Sequence, residues 1–219
     1  MNKSFPTGEE TFVELDPEYY ISHSPEDDSI FSQMISLYER TFLSNGQDET
    51  SIDKIIEIFL SKRYKIYVLL RNNKKTVVAL AIVSMLTDHV DFCHLDYICV
   101  DESARGGGTG SRFMKDYLAP TLHTLQKHIT LECEHHIMGW YLKLGAIKLP
   151  ILDSIFAGRR FSFLVFQRPG ITTAESENNI SEALTERVMG ELRVKFHGFD
   201  EEDMSSVRLE DVYNWELLD

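Results

Sequence analysis

Residues Leu95–Tyr117 read LDYICVDESARGGGTGSRFMKDY, and this stretch limits the folds open to the chain more than any other. An apolar strand, Leu95–Val100, runs into a short polar turn, Asp101–Ala104. The turn runs into Arg-Gly-Gly-Gly-Thr-Gly-Ser, which opens a helix carrying Phe113, Met114, Tyr117 and Leu118. Strand, glycine loop and helix start together make an anion site. Glycine lets backbone N–H groups approach a phosphate closely, and the helix dipole favours negative charge there. Single glycines serve tight turns, but three in succession followed by a fourth cost conformational entropy that a mere turn does not require.

Two named phosphate loops fail here. A Walker loop ends in Gly-Lys-Ser/Thr, whereas Gly110 is followed by Ser111 and Arg112. A dinucleotide fingerprint demands glycine at 111 or 113, where Ser111 and Phe113 stand. The pattern that fits is Arg/Gln-x-x-Gly-x-Gly/Ala, as Arg105-Gly106-Gly107-Gly108-Thr109-Gly110. In this it resembles the pyrophosphate loop of the GNAT N-acetyltransferase superfamily. A second segment, Trp140-Tyr141-Leu142-Lys143-Leu144-Gly145-Ala146, is similar to the superfamily's Leu-Tyr-x-Lys-x-Gly-Phe, with Ala146 in place of the usual Phe. The resemblance covers roughly Asp28–Pro169 and implies an α/β fold: a mixed central sheet of six to seven strands with helices on both faces.

The chain in order agrees with such a fold. Thr11–Leu15 forms a first strand, with Tyr19–Ile21 as its continuation. After the acidic start Pro25–Ser29, Ile30, Met34, Leu37, Tyr38 and Phe42 recur at helical spacing, ending near Asn45-Gly46. A second helix from Ser51 places Ile52, Ile55, Ile56, Phe59 and Leu60 on its apolar side. Tyr64–Arg71 and Thr76–Leu86 form a hairpin across Asn72-Asn73; Val77–Val83 is almost wholly apolar and predicts a strand covered on both faces. The turn Asp88–Asp91 leads to the strand Phe92–Val100. Strict alternation there puts His94, Asp96, Ile98 and Val100 on one face and Cys93, Leu95, Tyr97 and Cys99 on the other. Pro120 predicts a helix stop near Leu118, with a short new turn through Gln126. His128–Glu134 is a strand, with Thr130, Glu132 and Glu134 on one face. His136–Leu144 is a helix closed by Gly145, and Ala146–Leu149 with Arg160–Gln167 is a final strand pair.

Residues 1–170 are thus one domain. Residues 171–219 are a polar linker, TTAESENN, followed by an acidic helical extension with Ile180, Leu184, Val188, Leu192 and Phe196 four apart. That stripe makes a homodimer a further expectation. Three cysteines without a Cys-x-x-Cys pair read as buried thiols and give no zinc module, so no metal is expected. A net charge of −13 argues against nucleic acid as a partner. The start MNKSFPTGEETF lacks an apolar signal core and no apolar run spans a bilayer, so the expectation is a cytoplasmic protein without a membrane partner.

The resemblance also implies a reaction: transfer of the acetyl group of acetyl-CoA, a cosubstrate, to a primary amine on a small molecule or peptide. It assigns pantetheine contacts to the backbone of Ile98, Cys99 and Val100. Pyrophosphate contacts fall to the amides of Gly106, Gly107, Gly108, Thr109, Gly110 and Ser111, with Arg105 adding charge. Tyr141 takes the general-acid position beside the leaving thiolate. His94, Asp96 and Glu132 are the candidate bases. Glu134 stands where many members carry a cofactor-touching Asn, and with Ala146 this keeps open an alternative: a non-catalytic acyl-CoA-binding regulator or scaffold on the same fold.

Overall fold

The computed structural model describes residues 10–16, 29–43, 52–61, 63–71, 75–85, 92–149, 154–156 and 159–169. The expected continuation at Tyr19–Ile21, the turns at Asn45-Gly46, Asn72-Asn73 and Asp88–Asp91, the linker and the C-terminal stripe lie outside these residues. The chain divides into two compact units, Met1–Lys127 and His128–Asp219.

In the first unit, β1 (Thr11–Leu15), β2 (Tyr64–Arg71), β3 (Thr76–Ser84) and β4 (Phe92–Val100) pair antiparallel in sequence order. Every residue of β3 after Thr76 is buried, as its apolar run predicts. One face of this sheet carries Ile66, Val68, Leu70, Leu80, Ile82 and Cys99 against Met34, Leu37 and Tyr38 of α1 (Ser29–Tyr38) and Ile58 of α2 (Ile52–Leu60). Leu60, counted with the apolar side of α2 from its spacing, is instead exposed, as the last residue of the helix. Helix α1 passes into a wider π turn, Glu39–Leu43, where the Thr41 hydroxyl donates to the Leu37 carbonyl at 2.8 Å. There Phe42, Tyr38 and Tyr97 meet as an aromatic trio with centroids 5.1 to 5.2 Å apart.

The opposite face is lined by Phe12, Tyr67 and the alanines Ala79 and Ala81, whose small side chains leave room for a helix close to the strands. Phe12 stacks on Tyr67 at 5.3 Å and on Tyr117 at 5.6 Å, and meets Phe113 at 5.9 Å. Phe113 and Tyr117 belong to the helical run after the glycine loop: α3 (Thr109–Arg112), a π segment (Phe113–Leu118) and α4 (Ala119–Thr124). The expected stop at Leu118 is a change of helix type instead. The Ala119 N–H donates to the Met114 carbonyl, five residues back, so Pro120 falls in the first turn of α4, the part of a helix where proline is tolerated.

The second unit contains β5 (His128–Glu134), α5 (Met138–Lys143), β6 (Ile147–Lys148), β7 (Ser154–Phe156) and β8 (Arg159–Phe166). Strand β8 pairs antiparallel with β5, β6 and β7. Helix α5 begins at Met138, two residues later than the spacing suggests, because His135–Ile137 form a turn. Its end is a Schellman motif: the Ala146 N–H donates to the Tyr141 carbonyl at 3.1 Å and the Gly145 N–H to Leu142 at 3.1 Å, with Gly145 at φ +99°. Among the described residues no atom lies within 4 Å of a methyl placed on Gly145, so it is the left-handed backbone that disfavours a side chain. Gly145→Ala is therefore expected to cost roughly 1–2 kcal/mol. Thermal denaturation should show Tm lowered by about 2–4 °C per kcal/mol.

Candidate active site

The glycine loop is built from both ends. Strand β4 stops because Asp101 turns the chain: its N–H still donates to Val78 at 2.9 Å, while its carboxylate accepts from the Ser103 N–H at 3.0 Å. That cap nucleates a single 3-10 turn, Glu102–Ala104. The Ser103 hydrogen bonds, backed by Arg40 at 2.9 Å, hold the Asp101 carboxyl below the usual range. Arg105 folds back and donates from Nε to the Val100 carbonyl at 3.0 Å. The end of β4 and the start of the loop are thereby tied together.

Gly106 and Gly108 lie at φ +83° and +76°, a region that L side chains avoid. Gly106, Gly107 and Gly108 are exposed, and among the described residues their N–H groups serve no hydrogen bond. Gly108 caps α3, accepting from the Arg112 N–H at 3.0 Å. Three free amides at the opening of a helical run suit an anion with several oxygens. A methyl on Gly106 meets none of the described residues within 4 Å, so the demand there is for backbone conformation and access rather than packing. Ile98 and Val100 of β4 are half-buried, Cys99 is buried, and Gly110 and Ser111 lie half-buried in α3 behind the loop.

A charged cluster that the sequence did not reveal holds the loop. Glu10 Oε1 accepts from Arg71 Nη2 at 2.6 Å and from Arg112 Nη2 at 2.8 Å; Oε2 accepts from Arg112 Nε at 3.2 Å. Arg71 Nη2 also donates to the Thr109 hydroxyl at 2.7 Å, and Arg112 Nη1 to the Gly107 carbonyl at 2.8 Å. The Glu10 side chain is only 10% exposed. Its hydrogen bond from Arg112 outweighs burial and lowers its pKa, while Arg112 is raised by the same bond. A carboxyl whose folded pKa is depressed contributes stability above its unfolded pKa and loses it as pH falls through the folded value. Wild-type protein should therefore lose stability from the ordinary carboxylate range downward, and Glu10→Gln should flatten part of that acid limb in denaturant titrations at successive pH values.

The first unit also holds two of the three candidate bases, in a different arrangement from the one alternation predicts. A register shift between Ile82 and Val83 leaves Asp96 as an extra residue in β4: Tyr97 faces Ile82 and Leu95 faces Val83. The bulge reverses the alternation, so His94 shares a face with Tyr97 and Cys99, and Leu95 shares one with Ile98 and Val100. His94 lies opposite Ser84 and is buried. Asp96 reaches the same Ser84, accepting at Oδ2 from its N–H at 2.9 Å and its hydroxyl at 2.6 Å. Asp96 Oδ1 is buried and has no hydrogen-bond partner among the described residues. Burial first, and then the Asp96 charge, push the Tyr64 phenol up to about 12. His94, Ser84, Asp96 and Tyr64 thus gather at one end of β2, β3 and β4.

The other two candidates belong to the second unit. Glu132 lies on β5 opposite Phe163 and is exposed. Tyr141 lies in α5, 4% exposed, edge-on to Trp140 at 4.6 Å and to Phe166 at 6.4 Å. Burial raises its phenol above the ordinary value, so it keeps its proton at neutral pH. Glu134 meets His136 at 3.2 Å. Burial also pushes the Cys93 and Cys99 thiols up to about 12, which leaves neither as a thiolate nucleophile near neutrality.

The sequence model described as the acetyltransferase (GNAT) family matches residues 31–146. An uncharacterized protein of Dictyostelium discoideum is 28% identical over 132 residues, which are 59% of this chain and 29% of that one. The chain therefore spans under a third of the length of that curated relative. An acyl-CoA N-acyltransferase from Pseudomonas aeruginosa superposes with a TM-score of 0.57 at 11% identity, covering 73% of this chain and 100% of that one. The ribosomal-protein-S18-alanine N-acetyltransferase of Escherichia coli gives 0.55 at 16% identity, over 76% of this chain and 98% of that one. Spermidine N-acetyltransferase from Vibrio cholerae, solved with CoA and spermine, gives 0.54 at 13% identity, over 73% and 95%.

Proposed function

This chain belongs to the GNAT acetyltransferase family, and from that premise we propose that it transfers the acetyl group of acetyl-CoA to a primary amine by direct attack. The observation that carries the reading is the loop Gly106–Gly108, with two left-handed glycines and three unused amides where a diphosphate must be held. The residues fit the group: a side chain at 106 or 108 would strain the loop, and among the described residues no other group takes the donors of Gly106–Gly108. Arg105, already bonded to Val100, keeps further donors on its guanidinium for a phosphate oxygen.

Acetyl-CoA supplies a thioester carbon activated toward nitrogen. In the transfer a C–N bond forms, the C–S bond breaks, the amine gives up a proton and the sulfur takes one. A free alkylamine has a pKa of about 10.4, so it needs a base to become a nucleophile at neutral pH. Asp96 is the candidate that the geometry favours, because Oδ1 is unpartnered while Ser84 fixes Oδ2. His94 lies beside Ser84 and can serve as a relay; Glu132 is the exposed third candidate. Tyr141 gives its proton to the departing sulfur, a role suited to a phenol that stays protonated. The inert thiols of Cys93 and Cys99 support direct attack over an acetyl-cysteine route.

The test is calorimetric titration with acetyl-CoA, followed by thiol release with polyamines, aminoglycosides, amino acids and peptides as acceptors. Binding with release above background for one amine class supports the transferase. Binding without release across the panel favours the non-catalytic alternative, and absence of binding rejects both.

A further inference from the structure

The cluster around Glu10 joins three points far apart in sequence: the residue before β1, the end of β2, and the helix that follows the glycine loop. Its inner contacts concern loop orientation. Arg112 Nη1 holds the Gly107 carbonyl at 2.8 Å. In a trans peptide the C=O and the following N–H point in opposite directions. Anchoring the Gly107 carbonyl on Arg112 thus turns the Gly108 N–H away from that guanidinium. Arg71 fixes the next residue, since its Nη2 can only donate and so takes a lone pair of the Thr109 hydroxyl. Thr109 is 1% exposed, so this contact is buried under the loop. Both guanidinium groups are held in place by one carboxylate.

We propose that Glu10 is a positioning residue that, through Arg112 and Arg71, presets the amides of the glycine loop for a diphosphate. The proposal rests on the acetyl-CoA reading above and adds its determinant of diphosphate affinity. Without Glu10, two cations stand side by side with no shared counter-charge. Repulsion and lost hydrogen bonds free Arg112 from Gly107, and the 107–108 peptide can rotate. The diphosphate must then pay the ordering cost on binding, which a preset loop avoids.

The experiment compares wild type, Glu10→Gln, Arg112→Ala and the double variant by calorimetric titration with coenzyme A and with pantetheine, which lacks the diphosphate. Amide hydrogen exchange is read in parallel. Glu10→Gln should raise the Kd for coenzyme A by about tenfold, the loss of one charge-assisted contact, and leave that for pantetheine within about twofold. Exchange should quicken at residues 112 and 113, whose amides bond back to Gly108, Thr109 and Gly110, and stay unchanged at 77–83. The double variant should bind coenzyme A no more weakly than Arg112→Ala alone, because both act on one peptide. Equal weakening of both ligands, an unchanged Kd for coenzyme A in a folded variant, additive losses or faster exchange throughout the chain would each overturn the proposal. Should Glu10→Gln not fold, Arg112→Ala carries the same ligand comparison: weakening confined to coenzyme A supports the proposal, and equal or absent weakening overturns it. Failure of wild type to bind coenzyme A sinks the acetyl-CoA reading and this proposal together, whereas tight wild-type binding that Glu10→Gln leaves intact sinks the proposal alone.

Discussion

Replacing Tyr141 by Phe is expected to lower the rate of acetyl transfer by about 100-fold or more, the usual contribution of a positioned general acid. The Kd for acetyl-CoA should stay within about twofold, because the change removes one oxygen and leaves the ring that packs against Trp140 and Phe166. The loss should fall on kcat and kcat/KM alike, as it does for a contact made only as the sulfur departs. Burial raises the phenol, so the wild-type rate should show no loss of this acid up to at least pH 10, its ordinary value. Turnover unchanged in Tyr141→Phe would remove Tyr141 from the mechanism. A leaving-group assay with a more acidic thiol would add a second check, since the variant should recover part of its rate there.

Phe113→Ala should be among the most damaging single changes to the fold. Phe113 is completely buried and sits four residues beyond the start of α3, against Phe12 of β1. Truncating a buried Phe to Ala costs roughly 3–5 kcal/mol, through lost transfer energy and the cavity left behind. Much of a small domain's total stability is of that size. Denaturant unfolding should show a matching fall in the midpoint with m unchanged. The change also frees the helix that carries the loop, so whatever folded protein remains should bind acetyl-CoA less tightly. Wild-type stability in Phe113→Ala would mean that the helix is not seated by this ring.

The strands were legible because their signals are local. Tyr64–Arg71, Phe92–Val100 and His128–Glu134 have the observed bounds, since each apolar run stops at a polar or turn-forming neighbour. The glycine loop was legible for the same reason: its backbone conformation is written in the residues themselves. The facing of His94 was not, because a bulge depends on how β4 pairs with β3, and a single strand carries no trace of its partner's register. The Glu10 cluster was illegible for a stronger reason. Glu10 and Arg112 are 102 positions apart, and neither has an unusual neighbourhood in sequence. Pro120 misled in the opposite direction: its rule is sound for a regular helix, but a π segment upstream shifted the point at which the missing donor matters.

The extra residue in β4 has a consequence for comparing this chain with its relatives. Between the imidazole of His94 and the first glycine of the loop the residue count does not fix the facing by itself, because the bulge takes up one residue that plain alternation would turn to the other side. A relative that lacks the extra residue and pairs in plain alternation would keep its equivalent of His94 on the face of Tyr97 and Cys99, because the bulge already takes up Asp96. An equivalent histidine is therefore recognised by the strand partner it faces, here Ser84, and counting back from the glycines alone can misplace it by one position.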